Sequence, residues 1–83
     1  SIEVFPNPTT SDITVTFKVD ETTNANLSIY DVVGRKVITI LDNQLPNGQY
    51  TYNENLGQLE PGLYMVTLML ENDGVKVSKV VKQ

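Results

Sequence analysis

The eight residues DITVTFKV, Asp12–Val19, alternate without interruption: Ile13, Val15, Phe17 and Val19 fall on one side of an extended chain, and Thr14, Thr16 and Lys18 on the other. A period of two is the mark of a half-buried strand and does not fit an amphipathic helix. The same period returns in ANLSIYD, with Ala25, Leu27 and Ile29 inward, and in QYTYN, residues 49–53, where it spaces two aromatics. GLYMVTLMLE sets Tyr64, Val66, Leu68 and Leu70 against Met65, Thr67 and Met69. Both faces of that last segment are apolar, so it is expected inside its sheet rather than at an edge. No window of useful length carries a helical period.

Turn residues punctuate these runs. Gly34, after Asp31-Val32-Val33, suits the left-handed position of a hairpin turn, and Asn72-Asp73-Gly74 turns the chain into VKVSKVVK. The alternation of that last run slips near Ser78 and Lys79, which predicts a β-bulge. In RKVITIL either Val37, Thr39 and Leu41 or Ile38 and Ile40 face inward, and the pattern leaves both choices open. With residues 2–5 as a short first strand, the reading is all-β: about seven antiparallel strands in an immunoglobulin-like or fibronectin-like sandwich. LEPGLY supports the sandwich, because such folds use a tyrosine whose hydroxyl returns to backbone just upstream and pins the corner between sheets. Leu59, Pro61, Gly62 and Tyr64 fit that corner; a plain Pro-Gly turn with Tyr64 as a core aromatic is the competing reading.

The composition narrows the functions open to such a fold. The 83 residues contain no Cys and no His, which removes the commonest zinc ligands, the thiol nucleophile and the near-neutral proton shuttle. Six basic residues stand against ten acidic ones, giving a net charge of -4, so a nucleic-acid partner is not expected. No apolar run reaches the roughly 18 residues of a membrane helix, so the chain is not expected to span a membrane. No signal peptide opens it, so an exported protein of this kind would be a fragment of a longer precursor.

Near the start, VFPNPTT places Pro6 and Pro8 one residue apart. Proline fixes φ and lacks a backbone donor, and it restricts the residue before it, so an extended approach to the first sheet is expected at Phe5 and Asn7. Proline also blunts a sheet edge against unwanted pairing. A rigid loop between the first two strands is the plainer reading.

VFPNPTT, LSIYDVVGRKV, LEPGLYMVTL and the terminal KVVKQ follow one another in an order that resembles the type A C-terminal sorting domain of the bacterial type IX secretion system, the Por secretion system C-terminal domain family. The family's Pro-Asn-Pro opening corresponds to Pro6, Asn7 and Pro8, and its Tyr-Asp-x-x-Gly turn to Tyr30, Asp31 and Gly34. Its Gly-x-Tyr motif corresponds to Gly62 and Tyr64, and its terminal lysine, aliphatics and lysine to Lys79, Val80, Val81 and Lys82. Gln83, after the last lysine, departs from the pattern.

The resemblance covers essentially the whole chain and implies a single sorting domain, residues 1–83, without catalytic residues, metal or cofactor. It implies an address that takes a cargo fused in front of it across the outer membrane of Bacteroidetes-type bacteria. The implied partners are the secretion machinery, with its outer-membrane shuttle and sortase, and the cargo itself. The implied destination is extracellular or cell-surface, with the sortase usually removing the domain and attaching the cargo to lipopolysaccharide.

Other features have plainer readings beside their functional ones. Lys76, Lys79 and Lys82 dot the last strand, as a recognised surface or as charges that guard an edge. Asp31, Asp42 and Asp73 fall in expected turns, where Asp bonds local backbone, and no D-x-D-x-D-G run argues for calcium. Glu54, Glu60 and Glu71 could supply paired carboxylates only across a cleft, which a sandwich this small fills with side chains. Tyr50 and Tyr52 share one face and are expected to pack inward; exposed, they would stack on a sugar, as in an accessory carbohydrate-binding or spacer module of an extracellular hydrolase. Asn26-Leu27-Ser28 matches a glycosylation acceptor only by its short pattern.

Overall fold

A computed structural model describes residues 1–83. It contains seven strands and no helix: β1 (Ile2–Phe5), β2 (Asp12–Val19), β3 (Thr23–Tyr30), β4 (Lys36–Leu45), β5 (Gly48–Asn55), β6 (Gly62–Leu70) and β7 (Gly74–Lys82). They form two antiparallel sheets, β1-β2-β5 and β4-β3-β6-β7, packed as a sandwich of 36 × 22 × 17 Å. The strand that reads as apolar on both faces, β6, lies between β3 and β7, as its pattern requires.

Alternation sends one set of side chains from each sheet into a common core. Ile13, Val15, Phe17 and Val19 of β2 meet Ala25, Leu27 and Ile29 of β3 and Tyr64, Val66, Leu68 and Leu70 of β6, with Leu45, Leu56 and Val80 completing the 14 buried apolar residues. Each fully buried aliphatic contributes about 1.5 to 3 kcal/mol from removal of its surface from water. Tyr50 and Tyr52 lie on the core side of β5, opposite Phe17 and Val15, and stack on the Phe17 ring at centroid distances of 5.6 and 6.0 Å.

One expectation is corrected and one open choice is resolved. β7 has no bulge: its register with β6 runs unbroken from Gly62↔Lys82 to Leu70↔Gly74. Its polarity slips because β7 is an edge strand, whose inner face needs little apolar surface. Gly74, Lys76, Ser78, Val80 and Lys82 lie opposite core-facing β6 positions, while the valines 75, 77 and 81 turn outward. The irregular strand is instead β4, where the register against β3 shifts twice. Ile38 stands opposite Ile29 and Leu41 opposite Leu27, so the inward residues of β4 come one from each of the two alternating sets. Val37 and Ile40 are the extra residues of the two shifts, and both still pack partly on the core.

The double-proline segment also behaves differently from an extended approach. β1 pairs with β2 as far as Phe5↔Thr14, residues 6–8 then bend, and Thr9 forms a parallel bridge with Lys82 of the other sheet. The Phe5-Pro6 and Asn7-Pro8 peptide bonds are both cis. Between the β1–β2 pairing and the Thr9–Lys82 bridge, residues 6–8 carry the chain from the edge of one sheet to the edge of the other.

Candidate recognition surface

The register fixes which loops share an end of the sandwich. Tyr30 stands opposite Met65, Met65 opposite Lys79, and Asp12 opposite Asn55. The turn at 31–35, the start of β6, the end of β7, the proline segment and the loop after β5 therefore gather at one pole. All four short motifs lie there, and most of them are bonded to one another.

Asn7 is the first link. Its side-chain amide donates to Lys79 O at 3.0 Å and accepts from Val81 N–H at 2.9 Å, so it occupies the place of a peptide group on the open edge of β7. Thr9 continues the pairing with backbone: Thr9 N–H donates to Val81 O at 2.9 Å and Gln83 N–H donates to Thr9 O at 2.8 Å. Residues 7–9 thus form a strap along the last third of β7. The strap is held by buried Thr9, whose hydroxyl donates to Asp12 O at 2.7 Å and accepts from Ser11 N–H at 3.2 Å.

The corner loop is the second link. The Tyr64 hydroxyl donates to Glu60 O at 2.6 Å, four residues upstream, and the Lys82 ammonium donates to Leu59 O at 3.1 Å. Leu59 packs against the core and its N–H donates to Leu56 O, while Leu56 N–H donates to Ser11 O at 2.8 Å. Leu59 and Pro61, with Gly62 and Tyr64 at the start of β6, thereby form one corner fastened to β7 on one side and to the segment before β2 on the other. Lys82 is only 6% exposed, with Gln83 O at 3.2 Å as its other partner. Val80 is fully buried, so within the terminal motif only Lys79 and Val81 face solvent.

The turn at 31–35 is the third element. Asp31 Oδ1 accepts from Val33 N–H and Arg35 N–H at 3.0 and 2.9 Å, and Oδ2 accepts from the Arg35 guanidinium at 3.0 Å. The backbone N–H of Arg35 does most to hold the Asp31 carboxyl below the usual carboxylate range; partial desolvation opposes this, and the Arg35 side chain and Val33 N–H add to it. Gly34 closes the turn at φ +87°, a left-handed conformation that a side chain disfavours. The valines 32 and 33 at its tip are 65% and 78% exposed.

The remaining candidates are dispersed. Asp73 lies in the β6–β7 turn at the opposite pole, paired with Lys76 at 3.0 Å, and Asp42 stands mid-strand opposite Asn26. Glu71 accepts from the Asn24 amide, Glu60 is exposed in the corner loop, and Glu54 lies opposite Ile13. Ser28 is buried and donates to the Asn26 side chain. The residues that sequence reasoning missed are Thr9 and Leu56, which hold the pole together from inside. A fully buried leucine in a loop has no periodic neighbours to announce it; only its spacing of three from Leu59 hints at a folded loop.

No curated protein matches the chain. Residues 3–83, spanning all four motifs and the pole they build, match the secretion system C-terminal sorting domain family, and the chain belongs to that family.

Proposed function

We propose that this chain is a non-catalytic address of the type IX system. It directs a cargo joined ahead of Ser1 across the outer membrane, after which the cargo is released or held at the cell surface. The machinery, comprising an outer-membrane shuttle and a sortase, reads the pole at which the motifs meet. The observation that carries this reading is the bonding among motif residues far apart in sequence: Asn7 to Lys79 and Val81, and Lys82 to the Leu59 carbonyl beside Tyr64's acceptor. Residues that build one surface from both ends of a chain suit a signal legible only after folding. In this reading Pro6, Asn7, Pro8, Gly34, Gly62 and Tyr64 shape the surface, and Lys79 and Val81 are its exposed part, braced from beneath by Val80 and Lys82.

A reporter carrying residues 1–83 at its C-terminus, expressed in a bacterium with a working type IX system, is expected in the medium or on the surface. Retention in the periplasm would refute the proposal. An accessory carbohydrate-binding role is less well supported, since Tyr50 and Tyr52 stack on Phe17 and the Tyr50 hydroxyl is bound to Pro46 O at 2.7 Å.

A further inference from the structure

The outer faces of the two sheets differ. On the β1-β2-β5 sheet the outward positions Glu3, Thr14, Thr16, Thr51 and Asn53 are polar, and Phe5 at the end of β1 is the one exposed large apolar side chain among its neighbours. On the other sheet, Leu63, Met69, Val75, Val77 and Val81 are exposed, and the register places Leu63 beside Val81 and Met69 beside Val75. The result is an apolar stripe along the outermost strand, broken by Lys79 between Val77 and Val81, with Val75 and Val77 more than half exposed at 56% and 54%. Exposed apolar side chains grouped beside one strand are a feature of interaction surfaces.

The edge beside the stripe is only partly closed. Backbone groups of alternate residues point to opposite sides of a strand. The strap bonds to Lys79 O and to Val81 N–H and C=O, so odd-numbered residues of β7 direct their polar groups away from β6. Upstream of the strap, the N–H and C=O of Val75 and Val77 and the N–H of Lys79 meet no protein partner, since β7 pairs with β6 alone.

The usual protections of such an edge are missing from this segment. It has no bulge and no proline, Lys76 lies on the inner side and is held by Asp73, and Lys82 is buried. Lys79 alone places a charge on the outer face, at the border with the strap.

We propose that the open edge of β7 from Val75 to Lys79, with the apolar stripe beside it, docks an extended segment of a protein partner that adds a fifth strand to the four-stranded sheet. The strap argues for this occupant. The strap already occupies the same edge over residues 79–83, through the Asn7 side chain and the Thr9 backbone, and the free groups continue that edge along one track. Backbone pairing supplies the attraction in strand addition, and alternate side chains supply selectivity. The partner segment therefore carries apolar residues at every second position, extending the stripe of Val75 and Val77.

Val77→Pro tests this. It removes an outward N–H while leaving the β6 ladder, which even-numbered residues make, and proline is tolerated at an edge. Val75→Thr with Val77→Thr keeps the backbone and removes the stripe, and serves where the proline variant does not fold. The probe is a synthetic peptide of alternating valine and threonine with glutamates at its ends, added at millimolar concentration to the isotope-labelled chain. Hydrogen-exchange protection is expected at the Val75, Val77 and Lys79 amides, and either variant is expected to weaken binding by about ten-fold or more. Protection elsewhere, or none, would overturn the proposal.

The export arm rests on the sorting reading: the fused reporter should leave the cell several-fold less well with either variant than with the native chain. Native-level export of both variants also overturns the proposal. Failure of the native fusion to leave the cell sinks the sorting reading instead, and the peptide arm then decides the edge alone.

Discussion

The Tyr64 hydroxyl and the Lys82 ammonium bind neighbouring carbonyls of one loop, Glu60 O at 2.6 Å and Leu59 O at 3.1 Å. A core strand and an edge strand thus grip the same corner. Tyr64→Phe keeps the ring in the core and strips one grip. The expected loss is about 1 to 2 kcal/mol, a hydrogen bond plus the cost of a half-buried acceptor left open. Urea unfolding should show it as a lower midpoint with an unchanged slope, since the surface exposed on unfolding is the same.

The two lysines of the terminal motif should separate cleanly. Lys82 is buried and its ammonium bonds to carbonyls, so Lys82→Ala is expected to cost about 2 kcal/mol, in the range for hydrogen bonds made by charged groups. Lys79 donates no side-chain hydrogen bond and stands on the outer face, so Lys79→Ala should change stability by less than about 0.5 kcal/mol. Export of a fused reporter should nevertheless fall with Lys79→Ala. Calorimetry beside the export assay distinguishes the two effects.

Asn7→Ala removes both partners of one edge position, freeing Lys79 O and Val81 N–H. Because water reaches that edge, the expected cost is only about 1 kcal/mol. The local signature is sharper: the Val81 and Gln83 amides, which the strap covers, should exchange faster while β3 and β6 amides keep their protection. Asn7→Asp retains an acceptor for Val81 N–H and should restore slow exchange there, although it cannot donate to Lys79 O.

How far the sequence discloses this arrangement depends on which interactions are periodic. Alternation identifies β2, β3 and β6 and the inward side chains of each, because two apolar layers impose one pattern on every central strand. It misleads at β7, where an edge strand carries Lys76 and Ser78 inward and valines outward, and it stays silent on β4, where two shifts interleave the faces. The Tyr64 corner is legible because proline, glycine and tyrosine each have a geometric reason to be there. The strap is not: Asn7, Thr9, Val81 and Gln83 meet across more than seventy positions, and nothing local in VFPNPTT names its partner.

Acid should loosen the turn at 31–35 before it touches the core. The folded state holds Asp31 below its ordinary carboxylate pKa, chiefly through the Arg35 N–H. The folded state therefore binds its proton less readily than the unfolded chain does, and the stabilisation is complete above the unfolded value, about 3.9, and drains away as pH falls through that value towards the lower folded one. Asp31→Asn keeps an acceptor for Val33 and Arg35 but carries no charge. Its unfolding midpoint should fall less steeply than that of the native chain between about pH 4 and 2. Parallel curves would show that Asp31 is not the group responsible.

Gly34 and Gly74 offer a test of backbone strain free of packing. Both have left-handed φ, +87° and +81°, and a Cβ built on either meets nothing within 4 Å. An L-alanine at these sites therefore loses only the conformational preference, about 1 to 2 kcal/mol at each. The two penalties should be equal and should add, because the turns lie at opposite poles and share no partner. D-alanine, introduced by chemical synthesis, favours positive φ and should stabilise both turns by restricting the unfolded chain. The two turns part company in export: Gly34→Ala should impair it beyond what its stability loss explains, because the proposed function places that turn on the recognised pole, whereas Gly74→Ala should not. Equal export of the two variants at matched stability would remove the turn at 31–35 from the recognised surface.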